Sequence, residues 1–250
     1  VLFADDGLVA INKPAGVPSL PRTGADRGTA AGAIVARYPE CGQASPDARE
    51  GGLVHRLDTG TSGVLIAARS RADWNALRDV IAGGQCEKLY LAEVHGQPPD
   101  QGHATAAIGR TGRRGGTVRL DGGRHPQPAD THFTVVARGG ATALVEARLS
   151  AGRPHQVRVH LAGWGYPIVG DPRYGDPVRD AAVAANESAG ADAGSDSGAD
   201  HVARGPRPSG SEGGLRLHAL AIRFRHPSSG NPVVIEAALP WWAASARFRP

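Results

Sequence analysis

The run Gly52-Leu53-Val54-His55-Arg56-Leu57-Asp58-Thr59-Gly60-Thr61-Ser62-Gly63 sets a carboxylate, an imidazole, a guanidinium and three hydroxyls in one short stretch. It leads straight into the apolar segment Val64–Ala68. Asp58 has two readings. It is an ionised carboxylate free for nucleophilic or proton-transfer chemistry, or a turn residue capping its own backbone. Arginines concentrate in two further places. Arg110–Arg124 holds five of them, spaced by glycines, with only Asp121 in opposition. Arg148–Arg158 holds three more, beside His155 and His160. Each place is either a solvated basic face or a set of separated phosphate contacts.

Several chemistries are excluded by pattern. His55-Arg56-Leu57-Asp58 permutes the kinase His-Arg-Asp-Leu, but the downstream Asn, the Asp-Phe-Gly and the glycine-rich loop before a lysine strand do not occur. No His-Glu-x-x-His or Cys-x-x-Cys occurs, and His155 and His160 are five apart, which does not stack them on a helix. No metal site is therefore expected. No phosphate-binding glycine loop is present, and Gly60-Thr61-Ser62-Gly63 is not a serine nucleophile elbow.

These residues need elements to hold them. Val1–Ala4 and Leu8–Ile11 read as a strand pair around Asp5-Asp6-Gly7, broken by Lys13-Pro14-Ala15-Gly16. Thr29–Tyr38 reads as a short helix ending before Pro39. Val64–Ala68 reads as a buried strand. Ser70 caps a helix over Arg71–Ile81 that turns Trp74, Leu77 and Ile81 to one face. Glu87–Val94 alternates charged and apolar residues, as a half-buried strand does. Thr131–Ala137 and Thr142–Leu149 form an antiparallel pair joined at Gly139-Gly140. Pro154–Ala162 is a helix with proline in its first turn. Leu215–Phe224 and Val233–Ala237 supply late strands. Strands that mostly follow one another predict an α+β fold rather than a doubly wound sheet.

The chain of 250 residues is 40% hydrophobic, enough for a core, and 21% charged. It reads as one domain, residues 1–250, with one interruption. Asp176–Gly213 is rich in Ala, Gly, Ser and Asp, lacks periodicity, and carries seven acids against three arginines. It is expected to be a disordered insertion. The formal charge of +4 thus becomes +8 outside it. Only Lys13 and Lys88 are lysines; the remaining 26 of 28 basic residues are arginine. That is a coding bias, a phosphate-contacting surface, or both. Cys41 and Cys86 are too few for a disulfide framework or a four-cysteine zinc site. No apolar run is long enough to span a bilayer, and no signal peptide is visible. The sequence contains no methionine, so a segment before Val1 is left open.

Five ordered stretches resemble one family, the RluA-type RNA pseudouridine synthases. LVAINKPAGVP (Leu8–Pro18) resembles its opening motif, and VHRLDTGTSGVLIAAR (Val54–Arg69) its catalytic motif. EKLYLAEVHG (Glu87–Gly96) is similar to its Lys-x-Tyr-x-Ala-x-Val-x-Gly strand, and Ala151–Tyr174 to its third motif. Leu217–Pro227 with Leu239-Pro240 is similar to its closing pattern. Thr59-Gly60 stands where many members carry a charged pair, and Pro154 where Thr or Ser is common. The resemblance implies an α+β pseudouridine synthase fold, with a central mixed, mostly antiparallel sheet flanked by helices and loops. It implies isomerisation of uridine to pseudouridine in ribosomal or transfer RNA by a cytoplasmic monomer that needs no cofactor.

By the same resemblance Asp58 is the nucleophile, with attack at C1′ and a glycal route both open. Arg158 pairs with Asp58 and keeps it ionised, or else contacts phosphate. Tyr90 stacks on uracil and moves a proton, or is a core tyrosine. Arg56 enters the space left by the flipped base, or is a structural ion-pair partner. His55, Arg153, His155, Gln156, Arg110, Arg113 and Arg114 are assigned to RNA contact. Two rival functions remain. One is a non-catalytic RNA-binding module that keeps the fold. The other is a glycosidase, which would need a second carboxylate about 5–10 Å from Asp58.

Overall fold

The computed structural model describes residues 1–23, 26–111, 117–191 and 214–244. In chain order its elements begin with β1 (Phe3–Ala4), β2 (Leu8–Lys13), α1 (Ala30–Arg37), α2 (Cys41–Ala44), a 3-10 turn (Ala48–Glu50), β3 (Ser62–Ala68) and α3 (Arg71–Ala82). There follow β4 (Cys86–His95), β5 (Gln101–Ala104), β6 (Ile108–Arg110), β7 (Val118–Leu120), β8 (Arg124–Gln127), β9 (Thr131–Gly139) and β10 (Thr142–Leu149). The last are α4 (Gln156–Gly163), α5 (Pro177–Ala191), β11 (Leu217–Arg225) and β12 (Pro232–Glu236). The fold is α+β, as the succession of strands predicts. Where the sequence suggests one domain, the contacts define two compact units. The first is Val1–Tyr90, Arg148–Gly152 and His218–Ala237; the second is Leu91–Ala147, Arg153–Leu217 and Ala238–Pro250.

In the first unit β1, β2, β3 and β11 are neighbours in that order, and β12 pairs with β11. The sheet is mixed: β2 runs antiparallel to β3, and β11 parallel to it. Strand alternation explains the burial. Leu8, Ala10, Val64, Ile66 and Ala68 face a cluster covered by Leu77 and Ile81 of α3. Val9, Leu65 and Ala67 face the opposite way, onto Ala30, Ala31 and Ile34 of α1. Both faces of β3 are covered, so its sequence is continuously apolar instead of alternating. Ser70 caps α3 by accepting from the Asp73 amide. Gly63, at φ 109°, cannot be replaced: a Cβ there would lie 2.2 Å from the Ala219 carbonyl oxygen on the partner strand.

In the second unit β10, β9 and β5 are neighbours, and β7, β6 and β8 form a small separate sheet. Helix α4 begins at Gln156, two residues later than expected, because His155 takes a left-handed φ of 55°. Strand β4 is largely buried, not half-buried. The charge of its Glu93 is met by Arg216 at 2.7 Å, so no wet face is needed.

The largest correction concerns Asp176–Gly213. Its first part is a helix, not a disordered loop. Asp176 accepts from the Val178 and Arg179 amides, and Pro177 opens α5. Asp180 accepts from the Gly170 amide at 2.8 Å and meets His95 Nε2 at 2.7 Å. Glu187 pairs with buried Arg216 at 2.8 Å. These acids anchor the helix to its own unit. The remaining residues, 192–213, lie outside the described parts of the chain.

Candidate active site

The Asp58 loop is held from both sides within the first unit. Upstream, Gly52–Val54 runs along β3: the Ala68 amide donates to the Gly52 carbonyl and the Val54 amide to the Ile66 carbonyl. His55 Nε2 then accepts from the Ile66 amide at 3.1 Å. Burial, followed by the Lys88 charge, pushes the His55 imidazolium pKa down to about 3, so the ring is neutral and able to accept. His55, expected to contact RNA, commits this ring nitrogen to tying the loop to β3.

The loop itself is clamped by the segment after β2. Ser19 Oγ donates to the Leu57 carbonyl and accepts from the Leu57 amide, at 2.7 and 3.1 Å. Gly16 adopts φ 83° to turn its amide onto the Thr59 carbonyl at 2.8 Å. Lys13 is fully buried and donates through Nζ to the carbonyls of Pro14, Val17 and Thr59. Burial lowers its pKa to about 8, against the nearby charge of Asp58, which raises it. Asp58 is half-buried, with its own carbonyl accepting from the Thr61 amide. Fixed bonds to the loop backbone thus set the position of Asp58.

Tyr90 packs against the cluster containing Leu57 and Ala219. Burial first, then the negative charges of Asp58 and Cys86, raise its hydroxyl pKa. Tyr90 is therefore a neutral phenol beside a carboxylate. It suits stacking and hydrogen-bond donation better than action as a base. Arg56 is exposed and, with Arg22, Pro18, Leu20 and Thr59, lines a cleft of about 270 Å³. Lys13, Ser19 and Arg22 carry no assignment in the sequence reading. The sequence did hold one signal: in a chain whose cations are otherwise all arginine, the two lysines are special, and both are buried, Lys13 at 0% and Lys88 at 7% exposure.

In the second unit Arg158 lies buried on α4. Its Nε and Nη2 donate to Asp171 Oδ2 and Oδ1 at 2.8 and 2.7 Å, and its guanidinium stands 5.3 Å from the Tyr174 ring centre. Asp171 also accepts from the Arg173 and Tyr174 amides. Burial raises the Asp171 pKa, but these donors outweigh it and hold the carboxyl below its ordinary range. The Tyr174 hydroxyl accepts from the Val118 amide and bonds His155 Nδ1 at 2.9 Å. Gln156 does not fit its expected RNA contact. It is buried, and its amide is spent on the Arg153 N–H, the Asp130 carbonyl and Thr131 Oγ1. Arg153 is half-buried and donates to the Pro128 carbonyl. Arg110 is exposed on β6; Arg113 and Arg114 lie outside the described residues.

A mixed α+β sheet thus carries a loop with one aspartate on a clamped backbone and a neutral tyrosine beside it, and comparison with known proteins gives the family. The family model described as RNA pseudouridylate synthase matches residues 7–163. The chain belongs to that family. An uncharacterized RNA pseudouridine synthase of Chloroflexus aurantiacus is 42% identical over 167 residues, covering 66% of this chain and 51% of the relative. Ribosomal large subunit pseudouridine synthase D of Nitrosomonas europaea is 33% identical over 240 residues, covering 96% and 62%. The chain thus spans between half and two thirds of the length of these curated relatives. The solved structure of human RNA pseudouridylate synthase domain containing 1 superposes with a TM-score of 0.66 at 24% identity, covering 94% of this chain and 81% of that one, and shares the fold.

Proposed function

We propose that the chain isomerises uridine to pseudouridine in RNA, with Asp58 as the catalytic carboxylate and large-subunit ribosomal RNA as the substrate class. The observation that carries this is the clamped Asp58 loop, whose neighbours are a neutral phenol and an exposed arginine two residues upstream. The substrate class follows from the names borne by its relatives, the synthase of Nitrosomonas europaea among them. The N1–C1′ bond breaks and a C5–C1′ bond forms. The C5 hydrogen leaves as a proton and N1 gains one, so the change is redox-neutral and consumes no cofactor.

A carboxylate is a weak nucleophile, so rate must come from its placement. The bonds from Ser19, Gly16 and Lys13 to the backbone on either side of Asp58 supply that placement. The target base must leave its stack, at a cost of about a few kcal/mol. Exposed Arg56 fills the gap, while the Tyr90 ring receives the flipped uracil. Arg158, expected from the resemblance to act with Asp58, is held in plane within its own unit by Asp171. Pseudouridine appearing in nucleoside digests of RNA incubated with the chain is the expected result, and uridine unchanged at every concentration contradicts it.

The small sheet β7-β6-β8 is proposed as an RNA contact. Arg110 and Arg124 are direct partners across β6 and β8, and both are exposed, as is Arg119. Like charges set opposite one another destabilise a strand pair, and bound phosphate relieves the repulsion. Replacing Arg110, Arg119 and Arg124 by alanine is expected to weaken RNA binding. It should also flatten the log–log salt dependence by about 0.7–0.9 per lost contact, roughly two to three in all. An unchanged slope in filter binding across a salt series removes this sheet from the interface.

A further inference from the structure

The second unit holds a cluster that the proposed reaction does not use. His103 on β5 and His132 on β9 are direct partners in the antiparallel pair, so both side chains leave the same face. Their rings stack with centres 4.1 Å apart and planes 8° from parallel. Asp130, one residue before β9, reaches both: its Oδ2 lies 3.0 Å from His103 Nε2 and its Oδ1 3.2 Å from His132 Nε2. All three side chains are accessible, at 47, 56 and 61% exposure for His103, Asp130 and His132. One donor atom from each lies within 4.8 Å of the other two, the one such cluster among the described residues.

We propose that His103, Asp130 and His132 form a binding site for a borderline transition-metal dication of the Zn²⁺ type, which staples strand β5 to β9. Two imidazoles and a carboxylate are zinc-type donors, whereas Mg²⁺ and Ca²⁺ take oxygen ligands. Metal–ligand bonds of about 2.0–2.1 Å put tetrahedral ligands about 3.3 Å apart. Each imidazole nitrogen already lies close to that value from one oxygen of the carboxylate, Oδ2 for His103 and Oδ1 for His132, and one atom from each residue lies within 4.8 Å of the others. Drawing the imidazoles together needs only rotation of exposed side chains. The backbone beneath is fixed: Gln156 Nε2 donates to the Asp130 carbonyl at 2.8 Å and to Thr131 Oγ1 at 2.9 Å. The strand register, from Gln101 opposite Thr134 to Ala104 opposite Thr131, sets the two histidines face to face. Three protein ligands leave a fourth position for water. A β5 strand of four residues, which pairs with β9 at the end of the strand order, gains a second attachment.

The test is calorimetric titration of Zn²⁺ into the full chain, stripped of metal and carrying no histidine tag. One Zn²⁺ bound per chain is expected. His103→Ala and His132→Ala should each weaken it by more than about tenfold, and Asp130→Asn should weaken it as well. Because the three side chains are exposed, these variants keep the fold, and circular dichroism checks that. Zn²⁺ should also slow hydrogen exchange of the β5 amides in the parent chain and not in the His103→Ala/His132→Ala variant. Zn²⁺ affinity unchanged in that double variant, or no binding by the parent chain, overturns the site. Neither result bears on pseudouridine formation, so the two proposals stand or fall separately.

Discussion

Asp58→Asn is expected to leave a folded, RNA-binding protein that forms no measurable pseudouridine. The amide has nearly the shape of the carboxylate, and Ser19 and Lys13 hold the loop through backbone groups of Leu57 and Thr59, which the substitution leaves in place. The lost property is the negative charge that attacks or takes a proton. A fall of at least about a thousandfold in single-turnover rate, about 4 kcal/mol of transition-state stabilisation, is the expected size. Activity within about tenfold of the parent, only about 1.4 kcal/mol, removes Asp58 from the chemistry.

The second large effect is on stability. Asp171→Ala takes one partner from an ion pair whose side chains are 6% and 0% exposed. Breaking such a pair costs about 3–5 kcal/mol, because the remaining charge keeps its burial and loses both its bonds to the carboxylate. For a chain of this size that lowers the thermal midpoint on the order of 10 °C. In an Arg158→Met background the same substitution should cost less, since no guanidinium is then stranded. Equal costs in the two backgrounds, measured by denaturant unfolding, contradict the coupling. The acid dependence has the matching sign. The Asp171 carboxyl is held below its ordinary value, so its contribution is complete above the unfolded carboxylate range. It disappears as pH falls through the lower folded value.

Much of the first unit is legible in the sequence. Ser70 and the spacing of Trp74, Leu77 and Ile81 identify α3, and the uninterrupted run Val64–Ala68 identifies a strand covered on both faces. The resemblance singles out the Asp58 loop, and the structure adds the bonds from Ser19, Gly16 and Lys13 to its backbone. What sequence does not show is which polar groups meet. Glu93 and Arg216, 123 residues apart, are both buried because they find one another, so the charges of β4 imitate a wet face. Gln156 stands in an arginine-rich stretch and yet works entirely inside its unit. Helix α5 escapes a search for periodicity because its alanines give helix propensity without an apolar stripe; the Asp176-Pro177 start is the cue that was present. Asp171 sits in a turn, where an aspartate reads as a cap, and only the fold brings Arg158 to it.

The most direct measurement of the central claim uses RNA carrying tritium at uridine C5. Forming the C5–C1′ bond expels that hydrogen, so the parent chain should release tritium to water in a saturable time course with no cofactor added. The release should stop at a fixed small number of sites per RNA, and the Asp58→Asn chain should bind the same RNA and release none. RNA binding by the parent chain without tritium release would contradict the account and leave an RNA-binding module on a synthase fold.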